Sequence, residues 1–203
     1  MKRNIAFIFA ALGWFAVIAQ YYLMIENRTI SVSEATIRFF SFFTILTNIL
    51  VALYFSIIFI SGNKSVSLIN APGTLTFITI YITVVGLVYQ VALRHLWHPQ
   101  GMQRLVDELL HSVIPIFVVF FWYLYEAKKS LKFRQTIKWL TYPLIYFIYI
   151  LVRGNQSGFY PYPFIDVSVL GFPAVIQNAF FLLLFFLGLS SAFILIGKQL
   201  DKK

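Results

Sequence analysis

Arg38-Phe39-Phe40-Ser41-Phe42-Phe43-Thr44-Ile45-Leu46-Thr47-Asn48-Ile49-Leu50-Val51 is the front half of an apolar run that continues to Ser61. The run is long enough to cross a bilayer as a helix, and Ser41, Thr44 and Asn48 recur in it at spacings of three and four. On one helix they form a polar stripe. Within lipid such groups need partners inside the protein, so the stripe is expected to face neighbouring helices or a cavity. It serves either as hydrogen-bonding glue between helices or as chemistry.

The rest of the chain has the same character. Of 203 residues, 60% are hydrophobic, 19% aromatic and 11% charged, whereas about a quarter of an average soluble domain is charged. The composition is that of an integral membrane protein. The net charge of +9 sits in the gaps between apolar runs, where it sets membrane orientation and implies no nucleic-acid partner. Cysteine is absent, which excludes disulfides, thiolate metal sites and a cysteine nucleophile. Met1-Lys2-Arg3 followed by Ile5 to Ile25 resembles a secretory signal. Its apolar run exceeds the usual ~7–15 residues and has no small-x-small cleavage site, so it is expected to be a retained span.

Six spans are expected: Asn4 to Ile25, Phe39 to Ser61, Thr74 to Leu93, Leu109 to Tyr125, Trp139 to Val152 and Pro173 to Gly197. The fifth is short and gains length if it is extended back through Gln135. This arrangement puts Lys2, Arg3, Lys64, Lys128, Lys129, Lys132, Arg134, Lys138, Lys198, Lys202 and Lys203 on one side, eleven of the sixteen basic residues. The positive-inside rule makes that side cytoplasmic, with both termini on it. The outer loops then hold Glu26 to Arg38, Arg94 to Glu108 and Arg153 to Phe172, with five of the seven acids.

With Arg38 at the outer interface, Thr44 lies six residues deeper, about 9 Å along a helix. The fourth span opens Asp107-Glu108-Leu109-Leu110-His111-Ser112-Val113-Ile114-Pro115. Asp107 and His111 are four apart and share a helical face, where a carboxylate can fix the tautomer of an imidazole. A threonine hydroxyl becomes a useful nucleophile when a base takes its proton, so Thr44, His111 and Asp107 are the parts that hydrolytic acyl transfer requires. A structural histidine at a helix entrance is the plainer alternative. His95, His98, Asp107, Glu108 and His111 also gather nitrogen and oxygen donors in one segment that would suit zinc with an open position. Their spacing fits no tight metal motif.

The fifth span reads Tyr142-Pro143-Leu144-Ile145-Tyr146-Phe147-Ile148-Tyr149 and leads into Arg153-Gly154-Asn155 and Tyr160-Pro161-Tyr162-Pro163-Phe164-Ile165-Asp166. Tyr142, Tyr146 and Tyr149 give one hydroxylated face. The X-Pro steps hold the loop extended, as a rigid lid would require. Arg153 and Asp166 are expected to pair across it.

Three segments together resemble the bacterial Pr6Pr family of membrane proteins: Phe42-Phe43-Thr44-Ile45-Leu46-Thr47-Asn48, His111-Ser112-Val113-Ile114-Pro115, and the block from Tyr142-Pro143 to Asp166. That family is related to the eukaryotic androgen-induced membrane proteins, which hydrolyse fatty acid esters of hydroxy fatty acids through a membrane-embedded threonine and a histidine. The resemblance places the threonine on Thr44 and the histidine on His111. It implies a multi-pass protein of the bacterial cytoplasmic membrane acting on a lipophilic fatty acyl ester. Asp107 as the orienting group comes from helical spacing and not from the family.

The sequence therefore predicts an all-α bundle of six transmembrane helices forming one domain over residues 1–203. Thr44, His111 and Asp107 are its catalytic candidates, with Ser41, Asn48, Tyr146, Arg153 and Asp166 supporting or binding substrate. No cofactor or bound metal is expected. The alternatives are a non-catalytic protein that binds or carries a lipid or small amphiphile, and a metal-dependent membrane hydrolase.

Overall fold

The computed structural model describes residues 1–62 and 66–200. Lys64, Lys202 and Lys203, counted above among the cytoplasmic cations, lie outside the described residues. The fold is 84% helix, with no strand among the described residues. It divides into two compact units, Met1–Ala127 and Lys128–Lys203.

The first unit contains α1 (Lys2–Glu26), α2 (Val32–Phe39), α3 (Phe43–Ser61), the single turn α4 (Ser67–Asn70), α5 (Thr74–Val88), α6 (Gly101–Glu108) and α7 (Ile114–Tyr125). A π turn over Tyr89–Leu93 and a 3-10 turn over Arg94–Leu96 prolong α5, and a second π turn over Leu109–Val113 joins α6 to α7. The second unit contains α8 (Gln135–Trp139), α9 (Thr141–Ser157), α10 (Val167–Leu170) and α11 (Phe172–Leu200). Five helical stretches are long and apolar enough to cross a membrane: Lys2–Glu26, Phe43–Ser61, Thr74–Leu96, Gly101–Tyr125 and Phe172–Leu200. This is the pattern of a multi-pass membrane protein.

Helices α1 and α3 pack closely because α1 turns small residues inward. Ala6, Ala10, Gly13 and Ala16 are buried, and a Cβ on Gly13 would lie 3.0 Å from that of Ala52. Small residues let membrane helices approach where lipid gives no hydrophobic drive for association. An aromatic knot fixes the next layer. Phe55 meets Phe121 edge-on at 4.8 Å and Phe9 at 5.0 Å, and Trp14 Nε1 donates to Ser56 Oγ at 3.0 Å.

Three boundaries differ from the sequence reading. The second span starts at Phe43, because the chain breaks over Phe40–Phe42: Ser41 N donates to Arg38 O, Phe42 N to Phe39 O, and Phe42 is extended. The preceding α2 is a separate amphipathic helix, capped by Ser31 Oγ on Glu34 N and braced by an Arg38–Glu34 ion pair at 2.8 Å. The fourth span starts at Gly101, so much of the expected outer loop is helix. The fifth segment is two pieces that meet at Leu140. Pro143 has no N–H to donate and its ring would crowd the carbonyl of Trp139, the last residue of α8. The 17 residues of α9 extend roughly 26 Å, short of a ~30 Å hydrocarbon core.

In the second unit the proline-rich loop folds onto a cluster of Ile150, Ile165 and Val175, against which Tyr146, Tyr162 and Phe164 also pack. Tyr162 and Phe164 stack at 5.3 Å. The Tyr160 ring lies directly on Gly154, where a Cβ would come within 2.1 Å of it. This contact explains an Arg-Gly step followed by an aromatic loop.

Candidate functional site

The site grows from the two π turns. Pro115 has no N–H for the carbonyl of His111, four residues earlier, and its ring crowds that carbonyl, so α6 cannot run into α7 as regular α-helix. The chain inserts a residue instead, and Ile114 N bonds to Leu109 O. On the neighbouring helix Arg94 N bonds to Tyr89 O in the same i to i+5 pattern. Such π bulges are frequent at functional sites because they redirect side chains without ending the helix. Gly86 lets the two helices meet here, since a Cβ on it would lie 3.1 Å from His111 O and 3.2 Å from Pro115 Cβ.

His111, Asp107 and Tyr89 form one cluster. His111 Nδ1 lies 2.9 Å from Asp107 O and 3.2 Å from Asp107 Oδ1. Tyr89 donates its hydroxyl to Asp107 Oδ2, and its ring stacks on the imidazole with centroids 4.1 Å apart and planes 14° from parallel. Asp107 is 5% exposed and Tyr89 4%. Both groups facing Nδ1 are oxygens and the peptide carbonyl only accepts, so in neutral His111 the proton is on Nδ1 and Nε2 is the basic atom.

Around this cluster runs a second network. Ser112 Oγ donates to Glu108 Oε2 at 2.6 Å, Gln90 Nε2 donates to Ser112 Oγ at 2.8 Å, and Arg94 reaches Gln90 Oε1 at 2.7 Å. Arg94 also pairs with Glu108 and lies 5.9 Å from the centroid of the Tyr89 ring. It clasps the two π turns together from the exposed side.

Thr44 is in the first turn of α3 and is buried, as are Thr47 and Asn48. Asn48 Nδ2 donates to Thr44 O at 2.9 Å and to Leu110 O at 3.4 Å. One amide thus ties the threonine's turn to the histidine's turn. Among the described residues no hydrogen bond joins Thr44 to His111, whose Nδ1 is held by Asp107. Ser41 is buried in the break before α3 and bonds to Ile37 O at 2.8 Å, so it does not continue the Thr44 and Asn48 stripe on one helix.

Tyr146, Arg153 and Asp166 belong to the second unit. Asp166, expected to face Arg153, caps α10 by accepting from Ser168 N at 2.9 Å and Val169 N at 3.3 Å. His95 and His98 are exposed on the connection before α6, and no group of three or more His, Asp or Glu side chains converges among the described residues. Tyr89 is the site residue that sequence reasoning missed. Tyrosine near a membrane interface reads as an aromatic belt, and its only sequence signal is the nearby Gly86, a gap in an otherwise bulky helix. The chain matches no protein-family model, no curated protein and no solved structure.

Proposed function

We propose that the chain is a membrane-embedded hydrolase of a lipid-like acyl ester, with Thr44 as nucleophile and His111 as general base. The observation that carries this reading is the Asp107–His111–Tyr89 cluster, in which Asp107 and Tyr89 are buried and His111 is partly buried, joined to the turn of Thr44 through Asn48. His111 Nε2 takes the Thr44 proton as Oγ attacks the ester carbonyl, then delivers it to the departing alkoxide. Water attacks the resulting acyl-threonine with the same base, which releases the acid and restores Thr44. Asp107 supports the imidazolium formed in each half, and Tyr89 holds Asp107. The likeness of the Thr44 and His111 segments to the Pr6Pr family and its hydrolase relatives supports the same assignment. In this reading α8 and α9 together form a sixth span, both termini are cytoplasmic, the host membrane is the bacterial plasma membrane, and the fatty acyl substrate enters from lipid.

The test is labelling by a lipophilic fluorophosphonate probe in membranes. Wild type is labelled and turns over a lipophilic ester, whereas Thr44→Ala and His111→Ala, at equal folded protein, do neither. Full labelling of Thr44→Ala would refute the proposal. A non-catalytic amphiphile-binding protein is the second reading, favoured by Asn48, whose amide holds the Thr44 and Leu110 carbonyls as a plain link between helices. It predicts unlabelled wild type that still retains a fluorescent fatty acid.

A further inference from the structure

At the opposite end of α3 the first unit contains a cavity of about 150 Å³, lined by Lys2, Arg3, Ile58, Ser61, Gly62 and Asn70 among others. Thr44 and Ser61 are separated by 17 residues of one helix, roughly 26 Å at the standard rise. The cavity is therefore about a membrane thickness from the catalytic candidates and independent of them. Its volume far exceeds the ~10–15 Å³ that admits one water.

The lining is cationic and hydrogen-bonding. Arg3 is held in place: its Nε donates to Phe59 O at 3.1 Å and its guanidinium lies 5.3 Å from the centroid of the Phe59 ring. Neither contact neutralises the charge. Lys2 Nζ lies 5.7 Å from the Tyr125 ring centroid, a contact that again supplies no counter-charge. Gly62 ends α3 at φ 56°, and the Arg3 guanidinium lies 3.8 Å from where its Cβ would be. None of the described residues lining the cavity is acidic. Glu126, next to Tyr125, is engaged elsewhere, accepting from Thr76 Oγ1 at 2.9 Å. Two positive charges, a serine hydroxyl and a carboxamide around one cavity at the end of a membrane helix match the chemistry of a phosphate oxyanion.

We infer that this cavity binds a phosphate group, carried by an anionic phospholipid or present as the free ion. The experiment is thermal unfolding of the full chain in neutral detergent, titrated with phosphatidylglycerol, inorganic phosphate or diacylglycerol. Wild type is stabilised by phosphatidylglycerol and not by diacylglycerol; stabilisation by inorganic phosphate as well assigns the source to the free ion. Lys2→Gln weakens the response about fivefold and Lys2→Gln/Arg3→Gln roughly thirtyfold, the loss expected for one and two basic residues at a headgroup. Arg134→Gln/Lys138→Gln, with the same change in charge, leaves it intact. If neither phosphate source stabilises wild type, the inference fails; it fails equally if the Arg134/Lys138 variant loses as much as the cavity variants. Ester turnover is unaffected by Lys2→Gln, so the two proposals stand or fall separately.

Discussion

Tyr89 lies face to face on His111 at 4.1 Å while its hydroxyl bonds to Asp107, the same carboxylate that faces His111 Nδ1. One side chain therefore fixes both the plane of the imidazole and the position of its carboxylate. Each ring is carried on a π turn of a separate helix, so the relation depends on the packing of α5 against the α6–α7 stretch.

Tyr89→Phe keeps the stacked ring and loses the hydroxyl. Its kcat/KM for a lipophilic ester should fall by about 10- to 100-fold, the rate equivalent of one hydrogen bond to a charged group. Tm should fall as well, because buried Asp107 loses a donor, and Tyr89→Ala should lose more stability along with activity. Wild-type turnover in Tyr89→Phe would show that the hydroxyl plays no part in holding the base.

Gly86→Ala tests the approach of the helices. The added methyl would meet a backbone carbonyl and a proline ring at 3.1 and 3.2 Å, neither of which can rotate away. We expect a loss of about 1–3 kcal/mol in stability, typical of an overpacked contact, together with a fall in turnover as the π turn shifts. Gly188→Ala, where a Cβ would have open space, is the control. In the middle of α11 it should leave activity alone and stabilise slightly.

These residues also show where the sequence was readable. The five long spans follow from apolar length alone, and Asp107 with His111 follows from a spacing of four that survives in the structure. The break between α2 and α3 was hidden because Phe40-Ser41-Phe42 contains no glycine or proline and reads as unbroken apolar helix. Its only trace is the Ser31 to Glu34 capping pattern, which marks a separate helix start. The π turns were hidden for a different reason. Pro115 announces that the His111 carbonyl loses its helical donor, but whether a helix answers by kinking or by inserting a residue depends on its neighbour. Here that neighbour is Gly86.

Glu126 supplies a pH dependence. Burial pushes its carboxyl up from the ordinary value of 4.5, although Thr76 Oγ1, itself receiving Trp122 Nε1 at 2.9 Å, donates to it. A carboxyl whose pKa is higher when folded binds its proton more tightly in the native state. Its contribution to stability is therefore greatest below about pH 4.5 and declines as pH rises through the raised value. Glu126→Gln keeps an acceptor for Thr76 and cannot ionise. The variant should gain stability relative to wild type over that window and hold the gain at neutral pH, read as the difference in Tm across a pH series in detergent. A constant difference at every pH would mean that the carboxyl titrates alike in both states.

Asn48 decides whether the polar stripe is glue or chemistry. It is wholly buried, its Nδ2 bridges Thr44 O and Leu110 O, and its Oδ1 has no hydrogen-bond partner among the described residues. An orphaned buried acceptor costs about 1–3 kcal/mol, comparable with what the two donated bonds contribute. Asn48→Leu removes both at similar volume, so the direction of its effect on Tm reports whether the donated bonds outweigh the orphaned acceptor. If the amide serves to hold the threonine's turn against the histidine's, turnover per folded molecule should still fall by at least about tenfold, since a displacement of about 1 Å can cost a hundredfold in rate. If it is glue alone, Tm falls and turnover per folded molecule does not. Measuring Tm and kcat on the same preparation separates the two, because positioning affects the rate and glue affects the melting temperature.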